Sequence, residues 1–300
     1  MFLQMSMRPE YFFHLVVAAE GNALVTGLPG SGKTTLVKRA LSNVPRDFAV
    51  VVLDTAGEFR RCDYAGPFSV NPLELPPLQL VEVLEESLRA TYGEYAYVWT
   101  PAMSEVLLMA AQRARTLAEV YERVLEAAPP HMVDTALAVR RRLLHFARQF
   151  EATDVPVEAG KSTCVDISAL DRVARVAYVL TLLELHRKAH NVIYVVDEAH
   201  RFFTTYYPLL VDHLRTGRHS GRFFVLLSHS PREFARHMGY VKVWVRFPEF
   251  DMDQRQGVHW HPSVAYVTVY AASKRSAAAL AALGVPLRGA KAEFAMEVTP

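Results

Sequence analysis

Only two cysteines, Cys62 and Cys164, occur in the 300 residues of this chain. Two are too few for a disulfide framework and they lack metal-ligand spacing, so both read as small apolar residues in or near strands. Long apolar runs are missing as well. No stretch approaches the roughly 18 uncharged apolar residues that a membrane span needs. The segment from Met1 to Glu10 has no basic start leading into such a run, which argues against a secretory leader. Charge of one sign is scarce: the formal net charge is +2, so charge alone gives no vote for nucleic acid. The expectation is a soluble cytoplasmic protein with no membrane partner. No internal repeat or low-complexity run is found. What the chain has in quantity is apolar residues, 51% of the total, enough for a large α/β domain or one domain plus a sizeable insert.

One stretch organises the rest. Gly27-Leu28-Pro29-Gly30-Ser31-Gly32-Lys33-Thr34-Thr35 fits the phosphate-binding pattern G-x-x-x-x-G-K-[ST] without a mismatch. The β-prone Ala23 to Thr26 precedes it, and Thr35 to Leu41 reads as the helix it opens into. A polyphosphate carries several negative charges, so the backbone must turn its N–H groups inward around it, which glycines permit. The helix start adds its dipole and unpaired N–H groups. This assigns Gly27, Pro29, Gly30, Ser31, Gly32, Lys33, Thr34 and Thr35 to ATP binding. Lys33 supplies charge at the β- and γ-phosphates, and the Thr34 hydroxyl is a ligand for Mg²⁺, with Thr35 behind it.

The texture around this loop is that of an α/β protein. Phe48 to Leu53 is a nearly continuous apolar run, as in a parallel strand covered on both faces, and it ends at Asp54 and Gly57-Glu58-Phe59. From Pro76 to Phe150 apolar residues recur at helical spacing, for example Val81, Leu84 and Leu88, with breaks at Tyr92-Gly93, Thr100-Pro101 and Pro129-Pro130. The β pattern returns at Cys164 to Ile167, Val192 to Val196 and Phe223 to Leu227, followed by alternating Val241 to Phe247 and Val264 to Tyr270. Helices are expected at Arg172 to Lys188 and Val211 to Arg218, and at Ser273 to Leu283, closed by Gly284. The expected fold is therefore a mainly parallel central sheet flanked by helices, with an all-helical insert. Residues 1–75 form the first part of the ATPase core, 76–150 the insert, and 151–300 the remainder with C-terminal strands and helix.

An apolar strand ending in Asp197-Glu198 completes the phosphate site. Asp197 is placed to hold Mg²⁺, and Glu198 to orient or deprotonate the attacking water. The next strand end, Ser228-His229-Ser230, offers His229 to sense the γ-phosphate. Arg215 and Arg218 are candidate arginine fingers, a role that requires a neighbouring subunit's phosphate. His259-Trp260-His261 has no third metal ligand at suitable spacing and reads as a turn before Pro262. Arg140-Arg141-Arg142 with Arg148 reads as a solvated helix face rather than a nucleic-acid contact.

Taken together, these residues resemble the HerA/FtsK class of P-loop ATPases, within it the HerA-like branch. The resemblance runs through the P-loop, Asp54-x-x-Gly57-Glu58-Phe59 and Asn71-Pro72-Leu73. It continues through the helical insert, Val195 to His200, and Arg215-Thr216-Gly217-Arg218 leading to Phe223 to Pro231, so it covers roughly residues 23 to 231. It implies a RecA-like P-loop NTPase fold, a homo-hexameric ring, ATP hydrolysis at subunit interfaces, and double-stranded DNA drawn through the central pore. A nuclease or packaging partner is also implied. Two features depart from the class. The 22 residues before the first strand cannot hold the small β-barrel with which HerA proteins usually begin, and the sensor strand, which usually ends in glutamine, here carries His229.

The reading is thus an ATP-hydrolysing ring motor that translocates DNA, of helicase/translocase or genome-packaging type. A P-loop small-molecule kinase is one alternative, although Asp197-Glu198 is hydrolase-like. A secretion- or conjugation-type ATPase that moves protein is another. The Asp197-Glu198-Ala199-His200 string is shared with two-domain helicases, which need a second RecA-like domain that this chain cannot supply.

Overall fold

The computed structural model describes residues 7–93, 99–147, 150, 154–203, 208–247 and 264–298. Nine strands among them form one sheet: β1 (Asn22–Thr26), β2 (Ala49–Asp54), β3 (Tyr64–Gly66), β4 (Ser162–Asp166), β5 (Val192–Val196), β6 (Arg222–Ser228), β7 (Val241–Arg246), β8 (Val264–Tyr270) and β9 (Lys291–Glu297). Their order is β3-β4-β2-β5-β6-β1-β7-β8-β9. Every pairing from β3 to β7 is parallel, and β7–β8 and β8–β9 are antiparallel.

The apolar runs form strands because both sheet faces are covered, and the alternation divides them between two cores. Val51 and Leu53 of β2 and Val192, Tyr194 and Val196 of β5 face one core. Val50, Val52, Ile193 and Val195 face the other. The second core is closed by α1 (Phe12–Ala19), α2 (Lys33–Ala40) and α10 (Lys274–Ala282). The first is closed by α3 (Pro77–Tyr92), α7 (Arg172–Leu185) and α9 (Pro208–Thr216). Between α3 and β4 lie α4 (Pro101–Ala111), α5 (Leu117–Ala127) and α6 (Val133–Leu143), packed on one another through Val106, Val120, Val124 and Val139. A short α8 (His200–Phe203) follows β5.

Local sequence sets most boundaries. Thr100 caps α4 before its N-terminal proline, accepting from Met103 N, and Thr116 caps α5 in the same way. Ser273 and Ser276 form a reciprocal cap at the start of α10. Gly93 ends α3 at a φ of 86°.

Two strands and one bond differ from the sequence expectation. β3 is three residues on the sheet edge, defined by its pairing with β4 rather than by its own composition. In β9 the side chains of Ala292, Phe294 and Met296 are buried beside β8, an alternation the sequence reading passes over. Cys62 and Cys164 are not separate apolar residues: they form a disulfide with Cα atoms 5.8 Å apart, tying the segment before β3 to β4. A separation of 102 residues hides that proximity from the sequence.

Candidate active site

The parallel register brings the ends of four strands level on one edge of the sheet, the carboxyl edge where open α/β sheets bind ligands. Thr26 of β1 pairs with Ser228 of β6, Val196 of β5 with Leu226 of β6, and Leu53 of β2 with Val196. β6 therefore runs between the strand carrying the phosphate loop and the strand carrying Asp197-Glu198. His229 emerges between them.

The loop from Gly27 to Gly32 is shaped by backbone conformations that only glycine accepts readily. Gly27, Gly30 and Gly32 have φ of 154°, 75° and 108°. A Cβ at Gly27 would meet Phe247 Cβ at 2.5 Å and Ser31 Oγ at 2.6 Å, whereas one at Gly30 would meet nothing within 4 Å. Gly30 therefore borders open space. Lys33 reaches back to donate to the carbonyls of Gly27 at 2.7 Å and Leu28 at 2.9 Å. Burial lowers its pKa, while the charges of Glu198, Asp197 and Glu58 oppose that shift. Asp197 and Glu198 at the end of β5 are thus near enough to Lys33 for their charges to act on it. Ser31 Oγ is buried with no hydrogen-bond partner among the described residues. Thr34 and Thr35 are half-buried in the first turn of α2.

Asp197 is buried at the end of β5 and accepts from Thr55 Oγ1 at 3.3 Å. Burial, reinforced by the charges of Glu198, Asp54 and Glu58, pushes its pKa up to about 6. The acid next to it is held differently. Glu198 has a left-handed backbone, φ 50°, and its carboxylate faces three cationic or polar groups. His229 Nε2 lies 3.2 Å from Oε2, Arg201 Nε 3.4 Å and His200 Nε2 3.5 Å. The turn is anchored by Ala199 N donating to Leu227 O at 2.7 Å.

Asp54 plays a different part from the two acids at the end of β5. Its carboxylate accepts from the backbone N–H groups of Ala56, Gly57 and Phe59 at 3.1, 2.8 and 2.8 Å. It builds the Asp54 to Phe59 turn and leaves little capacity for a ligand. Gly57 takes φ 71° in that turn.

Arg215 and Arg218 are not part of this constellation. Both are exposed, and Arg215 pairs with Asp212 at 3.2 Å. Arg218 precedes β6, so it lies at the opposite edge of the sheet from Ser228, about 20 Å away at ~3.3 Å per residue. Neither arginine can reach the phosphate loop of its own chain. His259, Trp260, His261 and Arg148 lie outside the described residues. Arg140 is half-buried, stacked over Tyr121 and paired with Glu122 at 3.9 Å, and Arg142 donates to Ala138 O at 2.9 Å, so that of the three only Arg141 is exposed. The sequence reading missed His200, Arg201 and Thr55. His200 and Arg201 follow the acid pair with only Ala199 between, and their signal was that proximity.

The residues present fit a magnesium-bound triphosphate. A glycine cradle opens to space at Gly30, a buried lysine and an unpartnered serine hydroxyl line it, and a buried carboxylate stands beside it. A parallel sheet with a glycine-rich loop at one strand end and two acids two strands away defines a P-loop nucleoside triphosphatase. The chain belongs to the AAA ATPase domain family, which matches residues 13–227. Comparison with curated proteins gives no match. The fold is shared with solved structures of VirB4 and of the plasmid coupling protein TrwB. VirB4 of Thermoanaerobacter pseudethanolicus superposes with a TM-score of 0.59 at 16% identity, covering 82% of this chain and 86% of that one. The plasmid coupling protein TrwB in complex with ADP and Mg²⁺ gives 0.62 at 13% identity, covering 94% and 87%. TrwB with a non-hydrolysable GTP analogue gives 0.62 at 12%, covering 99% and 90%. No described helix is long and apolar enough to cross a membrane.

Proposed function

We propose that this protein is an ATP-hydrolysing ring motor that translocates DNA. The observation that carries the reading is the division of labour across β6: a phosphate cradle and two acids at one edge, and Arg215 and Arg218 exposed at the other. Among the described residues the cations at the site are Lys33, which is turned back onto the loop carbonyls, and Arg201, which is paired with Glu198, so the finger is assigned to a second copy of the chain. Self-assembly into a ring, here taken as a homo-hexamer, supplies it.

In this reading Gly27 to Thr35 binds the triphosphate, with backbone N–H groups and Lys33 directed at the phosphates. Thr34 and Asp197 hold Mg²⁺, which when bound neutralises charge on the phosphate oxygens. Glu198 orients the attacking water and takes its proton, after release from His229, His200 and Arg201. His229 reports the state of the site to β6. Arg218 or Arg215 of a neighbouring subunit reaches the terminal phosphate. Residues 76–150 form a helical insert between two parts of the core, 1–75 and 151–300, and the motor works in the cytoplasm on double-stranded DNA, with a nuclease or packaging protein as partner. Likeness to a plasmid coupling protein in complex with ADP and Mg²⁺ supports the nucleotide and the metal. A second reading, favoured by the likeness to VirB4, is a conjugation- or secretion-type ATPase whose cargo is protein.

The test is native mass with a non-hydrolysable ATP analogue, with and without duplex DNA, alongside phosphate release. Ring formation and DNA-stimulated turnover are expected. Turnover indifferent to every form of DNA, with no ring, would overturn the DNA reading. Phosphate passed to an acceptor instead of water would make the protein a kinase.

A further inference from the structure

Three groups converge at the ends of β5 and β6 with the chemistry of a transition-metal site. Glu198, His200 and His229 each offer one ligand atom, and these atoms lie within 4.8 Å of one another. The carboxylate Oε2 of Glu198 is 3.2 Å from His229 Nε2 and 3.5 Å from His200 Nε2. In a tetrahedral zinc site with ligands at about 2.0–2.1 Å, neighbouring ligand atoms are separated by roughly 3.3 Å. The two spacings to the carboxylate oxygen bracket that value, and the two imidazole nitrogens lie within 4.8 Å of each other, close enough for ring rotation to bring them onto one ion.

The scaffold is also rigid. Glu198 sits on the turn after β5 and His200 opens α8 directly after it, and the turn is bonded to β6 through Ala199 N and Leu227 O at 2.7 Å. His229 follows the last residue of β6. The two rings lie 4.7 Å apart, tilted by 48°. Opposing the ion is Arg201, whose Nε is 3.4 Å from the same carboxylate oxygen; its half-exposed side chain can leave for solvent.

We propose that Glu198, His200 and His229 form a binding site for a borderline divalent cation of the zinc type, and that occupancy silences the motor. Two imidazoles and one carboxylate select such ions over Mg²⁺, which takes oxygen ligands. Three protein ligands leave one position open to water or a phosphate oxygen. The site is distinct from the Mg²⁺ position at Thr34 and Asp197. Silencing rests on the proposed role of Glu198 as the base, because a carboxylate that shares its charge with a divalent ion is a far weaker base towards the attacking water. Binding itself does not rest on that role.

The experiment is calorimetric titration of the tag-free full chain with Zn²⁺, without nucleotide and with Mg²⁺ in excess, paralleled by visible absorption with Co²⁺. The expected result is one ion per chain and the intense bands of tetrahedral Co²⁺ with nitrogen and oxygen ligands. His200→Asn and His229→Asn should each weaken binding by more than the roughly 10–100-fold that loss of an outer-shell partner costs, with the fold checked by circular dichroism. His259→Asn with His261→Asn, which removes the other histidine pair, should leave binding intact. The site is refuted by non-stoichiometric binding, by retention in the His200→Asn/His229→Asn double variant, by loss only with His259 and His261, or by a thiolate-to-Co²⁺ band implicating Cys62 and Cys164. Turnover should fall in step with Zn²⁺ occupancy and return with chelator; turnover unaffected at full occupancy refutes silencing. If the chain hydrolyses no ATP at all, the functional reading fails, and calorimetry and the Co²⁺ spectrum still decide the site. The wild-type Co²⁺ spectrum needs no variant to fold.

Discussion

His229 Nε2 lies 3.2 Å from Glu198 Oε2, joining the ends of β6 and β5 at the carboxyl edge of the sheet. The residue expected to sense phosphate thus sits directly on the residue expected to activate water. The same strand ends are also tied by Ala199 N donating to Leu227 O at 2.7 Å and by the His200 and His229 rings, 4.7 Å apart.

Removing the charge of Glu198 should separate binding from chemistry. Glu198→Gln keeps an oxygen for His229 and is expected to retain ATP affinity within a few-fold. Its turnover should fall by about 10²–10⁴, the usual worth of a general base. Equilibrium nucleotide binding and single-turnover phosphate release check this. A loss of affinity as large as the loss of rate would move Glu198 from chemistry to binding.

Lys33 should show the opposite pattern. Its ammonium is held by the Gly27 and Leu28 carbonyls and by the nearby acids, so Lys33→Ala removes the buried positive charge of the cradle. Affinity for ATP is expected to fall by about 10²-fold, roughly the 2–3 kcal/mol of a charge-assisted hydrogen bond. Fluorescent-nucleotide titration measures it, and an unchanged dissociation constant would contradict the cradle.

Two glycines in the loop should respond unequally to alanine. At Gly27 the new Cβ would lie 2.5 Å from Phe247 Cβ, inside contact distance, so the loop or β7 must shift. Gly27→Ala is expected to cost about 2–3 kcal/mol in stability and to abolish nucleotide binding. At Gly30 there is no neighbour within 4 Å, only a left-handed φ of 75°. Gly30→Ala should cost about 1 kcal/mol. Thermal melts with and without nucleotide give the comparison; equal effects would mean that steric contact with Phe247 is not what shapes the loop.

Glu86 provides a pH-dependent test of stability. It is buried on α3, where its Oε2 accepts from Leu209 N of α9 at 3.2 Å. Burial, only partly offset by the Leu209 and Leu210 N–H groups, pushes its pKa up to about 7 from an ordinary 4.5. The folded state therefore holds the proton more tightly than the unfolded one, and stability falls as pH rises from about 4.5 through about 7. Glu86→Gln should stabilise the protein by about 1–3 kcal/mol at pH 8 and have little effect near pH 4. Urea melts at the two pH values test the sign, and destabilisation at pH 8 would refute it.

The fingers should act only between subunits. Arg218→Ala and Arg215→Ala are expected to leave ATP binding unchanged and to abolish turnover only in assembled rings. Mixing either variant with Lys33→Ala chains should restore partial turnover, since each supplies what the other lacks. No recovery under mixing would remove the argument for sharing.

Local chemistry was legible in the sequence wherever it depends on neighbours along the chain. The phosphate loop is contiguous, and a polyphosphate dictates glycines, a lysine and a hydroxyl in that order. The strands at Val50 and Val192 announce themselves because a sheet covered on both faces needs unbroken apolar runs. The helix breaks at Gly93 and Pro101 follow from backbone conformation alone. What only the tertiary structure decided is which distant pieces meet. The insertion of β6 between β1 and β5 set His229 against Glu198 and left Arg218 at the other end of that strand, and the pairing of β3 with β4 brought Cys62 to Cys164. Such pairings come from strand order and burial of two whole faces, which are properties of the assembled sheet and are not written in any one segment.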